Sequence, residues 1–577
     1  MDRTAPRHRG DGPRDVPLPA LSGQGRELVD RPLAGADELE SWVVDWSSWV
    51  GDVRAWWRGR RVVPETRLEA ARQVNEALQP LHLRIARRLV NHPAARHLPT
   101  EEFGQLLRRT RTDVDLYAPE LQLLRAQESA ALVELDTLQP SRPVVFRGQK
   151  LPVPVVDGMR TAASPGRREE AWWTLGAHDQ RQRRGVDLLL DELLGIRARL
   201  AQGARVGDYP SFRWREQRSF SFGPQQARML LDGIARVVTP RLRRWQSLVR
   251  QSHGLGPLRP WDDRLQLGPP LHSLRDPDDL ARRAHRAFER VHPSFGSWFK
   301  LLLDQGLADL RRGTLGGRRA WTAHGVNQIP TVRVPFTGDH DDLVRVLHEG
   351  GHAFHALARR SQRLVQNRAA PVAFAEVASH AMELIGSEHL EGAVYGRRDA
   401  ITAQLRALGR VVRLLCGIAR VESFQFWLHD HPHHGPRARE AAWVELGHRF
   451  DGDVDWTGLE ATRGKGYLGH RALLQDPFGQ LPYAVALVGS LQVWAAYRRD
   501  PKATLDRYMA ALSLGWSQDL AGLFQAAGLD LDLSAAPLER VMVTWDDRVD
   551  ALSRQLERAG RTPVPSTVRR SRPGSLR

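Results

Sequence analysis

His348-Glu349-Gly350-Gly351-His352 decides the reading of this chain, because one helical turn there carries two imidazoles and a carboxylate. Residues four apart lie on one face of a helix, so His348 and His352 converge on one point while Glu349 stands beside them. The pattern predicts two zinc ligands with a general base next to a metal-bound water. A chain with 22 histidines meets such a motif by chance often enough that its flanks must carry the argument.

Upstream, Asp339, Asp341 and Asp342 suit a helix N-terminus, where side-chain oxygens and negative charge are favoured. Leu343, Val344, Val346 and Leu347 then supply an apolar face. Gly350 and Gly351 together cost a helix about 2 kcal/mol relative to alanine, which predicts a segment passing close to the backbone there. A structural zinc closes with four protein ligands, whereas a catalytic one takes three and keeps a place for water. The Gly and His that some zinc peptidases carry just downstream are absent, since His355 and Ala358 occupy those positions, so the third donor comes from another helix. Pro371 suits the start of one, and Val372 through Gly386 has helical spacing with Gly386 as a plausible cap. Glu376, Ser379, His380 and Glu383 share a face of it, and four polar groups on an apolar helix are costly to bury unless they meet a charge or a hydrogen-bonding network. Glu376 is the candidate third ligand on this open-site reasoning.

These residues resemble a known family. His348 through His355, followed 24 positions after His352 by Ala375-Glu376-Val377-Ala378-Ser379, is similar to the thimet oligopeptidase and oligoendopeptidase F family of zinc peptidases. Leu258 to Asp262, Gly306 to Gly313 with Gly316 and Gly317, Phe424 to Trp427 and Gly489 to Trp494 also resemble its segments, in its order. The likeness spans roughly residues 40 to 550 and is densest after 255. It implies a mainly α, two-lobed, multi-helix architecture around a deep channel, with a small β element beside the zinc helix. It also implies one Zn²⁺ per chain on His348, His352 and Glu376, and hydrolysis of peptide bonds in short peptides. Glu349 would take a proton from the attacking water and return it to the leaving amine. His355 and Glu383 are candidates for supporting the metal ligands through hydrogen bonds.

The segment before the final helices departs from the family. Relatives carry a His there, then a Tyr-rich loop that stabilises the oxyanion and orients substrate. Alignment on Pro477-Phe478 puts Ala472 at the His position and Gly479 and Gln480 at two tyrosine positions, leaving Tyr483 in register as the catalytic candidate. His470, two positions early, is the candidate substitute. Loss of one oxyanion donor costs about 2.7 to 4 kcal/mol in the transition state, so weak or specialised activity on a peptide or other amide is expected. The alternative is a zinc-binding relative with little catalysis that acts as a peptide receptor or in an assembly. Ile329 to Phe336 alternates between two prolines, as an edge strand that receives an extended peptide would.

Composition sets the outer limits. The chain has 577 residues, 41% of them hydrophobic, with no apolar run long enough for a membrane span, and Met1 to Arg9 lacks the apolar core of a signal peptide. A cytoplasmic location without membrane contact is the expectation. Cys416 is the single cysteine, so zinc must be held by nitrogen and oxygen. The net charge of +17 comes from arginine in nearly every basic position, without an aromatic-interleaved platform, and no specific nucleic-acid partner is expected. His429, His431, His433 and His434 read as a loop closing a helix rather than a rival metal site. The division expected is a disordered Arg/Pro-rich tail over 1–38, a helical lobe over 39–250, a zinc-bearing lobe over 251–555 and a disordered basic tail over 556–577.

Overall fold

Apolar residues recurring at three and four positions make amphipathic helices, and helices carry most of the chain in the computed structural model, which describes residues 17–59, 74–138, 143–272, 274–311, 320–324 and 329–560. The periodic stretches read from the sequence lie in helices Gln79–Asn91, Arg183–Gly203, Pro224–Gly233 with its continuation Ile234–Val238, Arg397–Asp430 and Pro501–Leu514. Gly313, Gly316 and Gly317 of the family-like segments lie outside the described residues. Among the described residues no helix is long and apolar enough to cross a membrane.

The largest core cluster draws on residues from Leu116 to Leu552 and so joins both sides of residue 250. A second cluster joins residues 21 to 106 to Leu364, and a third packs Ala131 and Val186 to Leu193 against residues 421 to 474. The most extensive helix pairings are Val372–Ser387 with Leu481–Arg499 and Val372–Ser387 with His340–Ala358. The motif helix is therefore wedged inside the core.

Two expectations about the tails need correcting. Within the stretch read as disordered over 1–38, Leu18–Asp30 is a helix that buries Leu21 and Leu28, and the Trp49 and Trp42 indoles donate to the Leu21 and Leu28 carbonyls. Four apolar residues at helical spacing were enough to dock it despite flanking Arg, Pro and Gly. At the other end, helix Ala535–Gly560 runs through the expected boundary at 555, with Leu552 buried and Leu556 packed on the core. Residues 1–16 and 561–577 lie outside the described residues.

The β structure is small. β1 (Val144–Phe146) and β2 (Gln149–Leu151) form a hairpin. β3 (Ala308–Asp309), β4 (Trp321–His324) and β5 (Pro330–Arg333) form a sheet in the order β3-β5-β4, with β5 parallel to β3 and antiparallel to β4. The strand read as an edge from Ile329 to Phe336 is thus the central one. Pro330 sits at its first residue, where a missing N–H is tolerated, and among the described residues β4, which packs on the motif helix, has one edge without a paired strand.

Candidate metal centre and active site

Asp339 caps the motif helix, His340–Ala358, by accepting from the Asp342 N–H at 3.1 Å. The fully buried Asp342 carboxylate in turn accepts from the Thr337 and Gly338 amides at 2.8 and 2.6 Å, and pairs with Arg345. These bonds fix where the helix starts. The glycine pair fixes how it packs: a β-carbon on Gly351 would stand 2.5 Å from the Ala378 carbonyl oxygen and 2.6 Å from Ser379 Cα, and one on Gly350 would run into the Phe288 ring. The passing segment expected from the sequence is helix Val372–Ser387, crossing backbone against backbone. Gly386, read as its cap, lies inside it, where a β-carbon would press on the Leu347 side chain at 3.0 Å.

That crossing brings His348, His352 and Glu376 together. His348 Nε2 lies 3.6 Å from Glu376 Oε2 and His352 Nε2 lies 3.7 Å from Glu376 Oε1, with one ligand atom of each residue within 4.8 Å of the others. Zinc bonds of about 2.0 to 2.2 Å arranged tetrahedrally put neighbouring ligand atoms about 3.3 to 3.5 Å apart, so the donor set fits a zinc ion with little adjustment. Ser379 Oγ donates to the Glu376 carbonyl at 3.1 Å and to its carboxylate at 3.3 Å, holding that side chain from its own helix.

Glu383 lies behind His348. Its Oε1 accepts from His348 Nδ1 at 2.7 Å and from His380 Nδ1 at 2.9 Å, which turns Nε2 of His348 toward Glu376. Burial alone would raise the Glu383 carboxyl, but His380 and His348 overcome it and hold the group far below the usual carboxylate range. His380, one of the polar stripe but given no role from sequence, shares this carboxylate and places its Nε2 3.9 Å from Glu376 Oε2. His348, His380 and Glu383 form a second, overlapping metal-capable group. Burial lowers the His348 pKa, yet Glu383, Glu376 and Glu349 raise it above normal on balance, whereas burial and the neighbouring His348 and His380 push His352 well down. His352 therefore favours the neutral form that binds metal. His355 belongs to neither group and is buried edge-on against Phe374.

Glu349 is buried, and Thr322 Oγ1 on β4 donates to its Oε2 at 2.7 Å and to its backbone carbonyl at 3.1 Å. Burial is the largest influence on its carboxyl and raises the pKa, with Thr322 and His348 opposing. Thr322 escaped the sequence reading because nothing local marks a strand threonine as the partner of a glutamate 27 residues away. Tyr483 lies on helix Leu481–Arg499, and burial and the nearby negative charges of Glu376 and Asp476 raise its hydroxyl pKa.

The loop before Tyr483 is tightly held. Phe478 has a positive φ of 58° and is fully buried among Trp214, Phe426 and His429. A β-carbon on Gly479 would collide with the Asp476 carboxylate, and the Gln480 N–H donates 2.9 Å to Glu422 Oε1. Burial pushes the Glu422 carboxyl up to about 8. Ala472 opens the short helix Ala472–Gln475.

A cavity of about 2000 Å³ is lined, among the described residues, by Arg345 and Phe336 to Asp339 at the start of the motif helix, but not by His348, His352 or Glu376. It ends one turn short of the metal-capable group. His470 packs on Trp443 in its wall, and burial lowers its pKa to about 4. The histidines after Trp427 disperse: His429 stacks on Tyr209, His431 on Trp427, and His434 accepts from Arg439 Nε. None of them joins a metal-capable group among the described residues.

Residues 318–543, the stretch that carries the site, match the family model described as Peptidase family M3. No curated protein matches the sequence. Among solved structures the chain is similar to PZ peptidase A with an inhibitor, at 18% identity and a TM-score of 0.82, covering 94% of this chain and 99% of that one. It is also similar to a candidate oligoendopeptidase F from Bacillus anthracis strain Ames, at 16% identity and 0.76, covering 94% and 98%. A third is oligoendopeptidase-F from Enterococcus faecium, at 15% identity and 0.64, again covering 94% and 98%. These likenesses show a shared fold across nearly the whole chain.

Proposed function

We propose that the chain is a zinc-dependent oligopeptidase that hydrolyses peptide bonds in short peptides. The observation that carries the reading is Glu349, a buried carboxylate with one oxygen held by Thr322, next to two imidazoles and a carboxylate spaced for a metal. A peptide receptor has no need of a base in that position.

His348, His352 and Glu376 would hold the ion, which when bound supplies Lewis acidity toward a peptide carbonyl and toward water. Thr322 engages Oε2 of Glu349 and so leaves Oε1 as the atom that takes the proton from the attacking water. Burial raises the Glu349 carboxyl toward the working range of a general base, which also suits it to pass the proton on to the leaving amine. Glu383 keeps the His348 ring turned, and Ser379 keeps Glu376 turned. Tyr483, electrostatically close to Glu376, is the hydroxyl we assign to donate to a developing oxyanion. β4, which carries Thr322 and has an edge unpaired among the described residues, is the strand able to pair with an extended peptide beside Glu349.

Activity is expected to be weak or specialised. Ala472, Gly479 and Gln480 replace three polar groups of the family, and the packing at Gly479 leaves no space for a tyrosine without rebuilding the loop. The same three residues favour the second reading, a metal-holding peptide binder. The test compares zinc-loaded wild type with Glu349→Gln on a library of short peptides. The enzyme reading expects loss of about 10²- to 10⁴-fold in turnover with zinc retained. Equal turnover by both proteins, or none by either, overturns it.

A further inference from the structure

The large cavity has an unbalanced wall. Among the described residues, nine cationic side chains line it against six acidic ones, all aspartates. Five of the six are already engaged: Asp157 and Asp263 by Arg160, Asp262 by Arg168, Asp339 by Arg345, and Asp451 by Arg420. On the cationic side, Arg413 reaches only the backbone carbonyl of Asp263, at 3.2 Å, while Lys465 and Arg275 make no side-chain hydrogen bond or ion pair among the described residues. Three cations thus line the same space without a side-chain ion pair, although Asp263 and Asp341 lie near Arg413 and Asp279 lies near Arg275. Like charges gathered on a concave wall raise the local positive potential and so attract anionic ligands.

The cavity's position ties it to the reaction. Arg345 in its wall precedes His348 by three residues, and Ala320 in its wall leads into β4, which carries Thr322. Gly466, Gly469, His470 and Arg471 also line it and precede the loop that ends at Tyr483. At about 2000 Å³ it exceeds the roughly 300 to 1000 Å³ typical of clefts for small molecules, so it suits several residues of a peptide. Trp172 and Trp456, both partly exposed, add apolar surface between the charges.

We propose that this cavity is an extended subsite for peptides bearing carboxylates on one side of the scissile bond, with Arg275, Arg413 and Lys465 as the groups that receive them. It rests on the peptidase reading for the class of ligand, a peptide, and adds the charge that the ligand carries. The carboxylates come either from Asp and Glu side chains or from a free C-terminus.

The test measures binding, separately from cleavage, on full-length zinc-loaded Glu349→Gln protein. Fluorescent octapeptides differ only in Asp and Glu against Asn and Gln, each with a free or amidated C-terminus. A charge-assisted hydrogen bond contributes about 1.5 to 3 kcal/mol net, so carboxylate peptides should bind about 10- to 100-fold more tightly than the neutral amide. The arm that retains the preference identifies the source. The double variant Arg275→Gln, Lys465→Gln lies at exposed and half-exposed positions, spares the core, and should lower the preference several-fold. Arg413→Gln should do the same, and Arg499→Gln with Lys502→Gln, both exposed and outside the cavity, should leave it intact. Equal affinity for all four peptides overturns the proposal, as does an equal loss from the outside pair. Hydrolysis by wild type without charge preference sinks this inference alone. Preferential binding without any hydrolysis sinks the peptidase reading and leaves the subsite standing.

Discussion

Replacing Gly351 by alanine sets two effects against each other, and the crossing geometry decides between them. Alanine is favoured over glycine in a helix interior by about 1 kcal/mol. Its β-carbon, however, would stand 2.5 Å from the Ala378 oxygen and 2.6 Å from Ser379 Cα, against the roughly 3.5 to 4.0 Å of ordinary carbon contact. The helices must part by about 1 Å, because backbone has no rotamer to change. Tyr508 also ties the Ala378 carbonyl from behind at 2.7 Å, which resists that movement. Overpacking typically costs about 1 to 3 kcal/mol, so the net effect is a destabilisation of about 1 to 2 kcal/mol. The larger effect falls on the metal. His352 is the next residue and Glu376 lies one turn before Ser379, so a shift of about 1 Å opens the ligand spacing and should weaken zinc binding by about 10- to 100-fold. The assays are competition against a chromophoric chelator and thermal unfolding of the apo protein. Gly350→Ala is the contrast, because its obstacle is the Phe288 ring and Phe288→Leu should relieve it. A Gly351→Ala protein that melts higher than wild type and binds zinc equally well would refute the reasoning, since propensity alone would then have won.

Glu383→Ala leaves two imidazoles without their shared acceptor and should lower zinc affinity about 10- to 100-fold, read by the same chelator competition. Thr322→Val removes the bond that favours ionised Glu349, so the Glu349 pKa rises and the acid limb of the kcat/KM profile moves to higher pH, with zinc content unchanged. Glu422→Gln tests linkage: the folded pKa of about 8 exceeds the unfolded 4.5, so the stability it contributes is complete below about pH 4.5 and is lost as pH rises to about 8. The amide has no charge to lose, so the variant should match wild type at pH 5 and exceed it by a few kcal/mol at pH 8 to 9 in chemical denaturation.

The sequence made the motif helix legible because its information is local: Asp339 for the cap, a repeating apolar face, two histidines four apart, and a glycine pair that only a close crossing justifies. Glu376 was reachable because a catalytic metal needs a third donor and the stripe from Glu376 to Glu383 had to be satisfied by something. What escaped was set by pairing across distance. Thr322 meets Glu349 only because β4 is laid over the motif helix, and the order β3-β5-β4 made an inner strand of the segment read as an edge. His380 was visible in the stripe, but its sharing of Glu383 with His348 depends on the crossing of two helices. Helix Leu18–Asp30 was missed because Arg, Pro and Gly around it outweighed four apolar residues whose partners, Trp42 and Trp49, lie on the next helix.

The account depends most on one ion among three side chains. Crystals of the protein grown with zinc, measured on both sides of the zinc absorption edge, give the direct answer. An anomalous peak about 2.0 to 2.2 Å from His348 Nε2, His352 Nε2 and a Glu376 oxygen is the result expected. A peak elsewhere, or none at those three residues in protein that contains stoichiometric zinc, would contradict it.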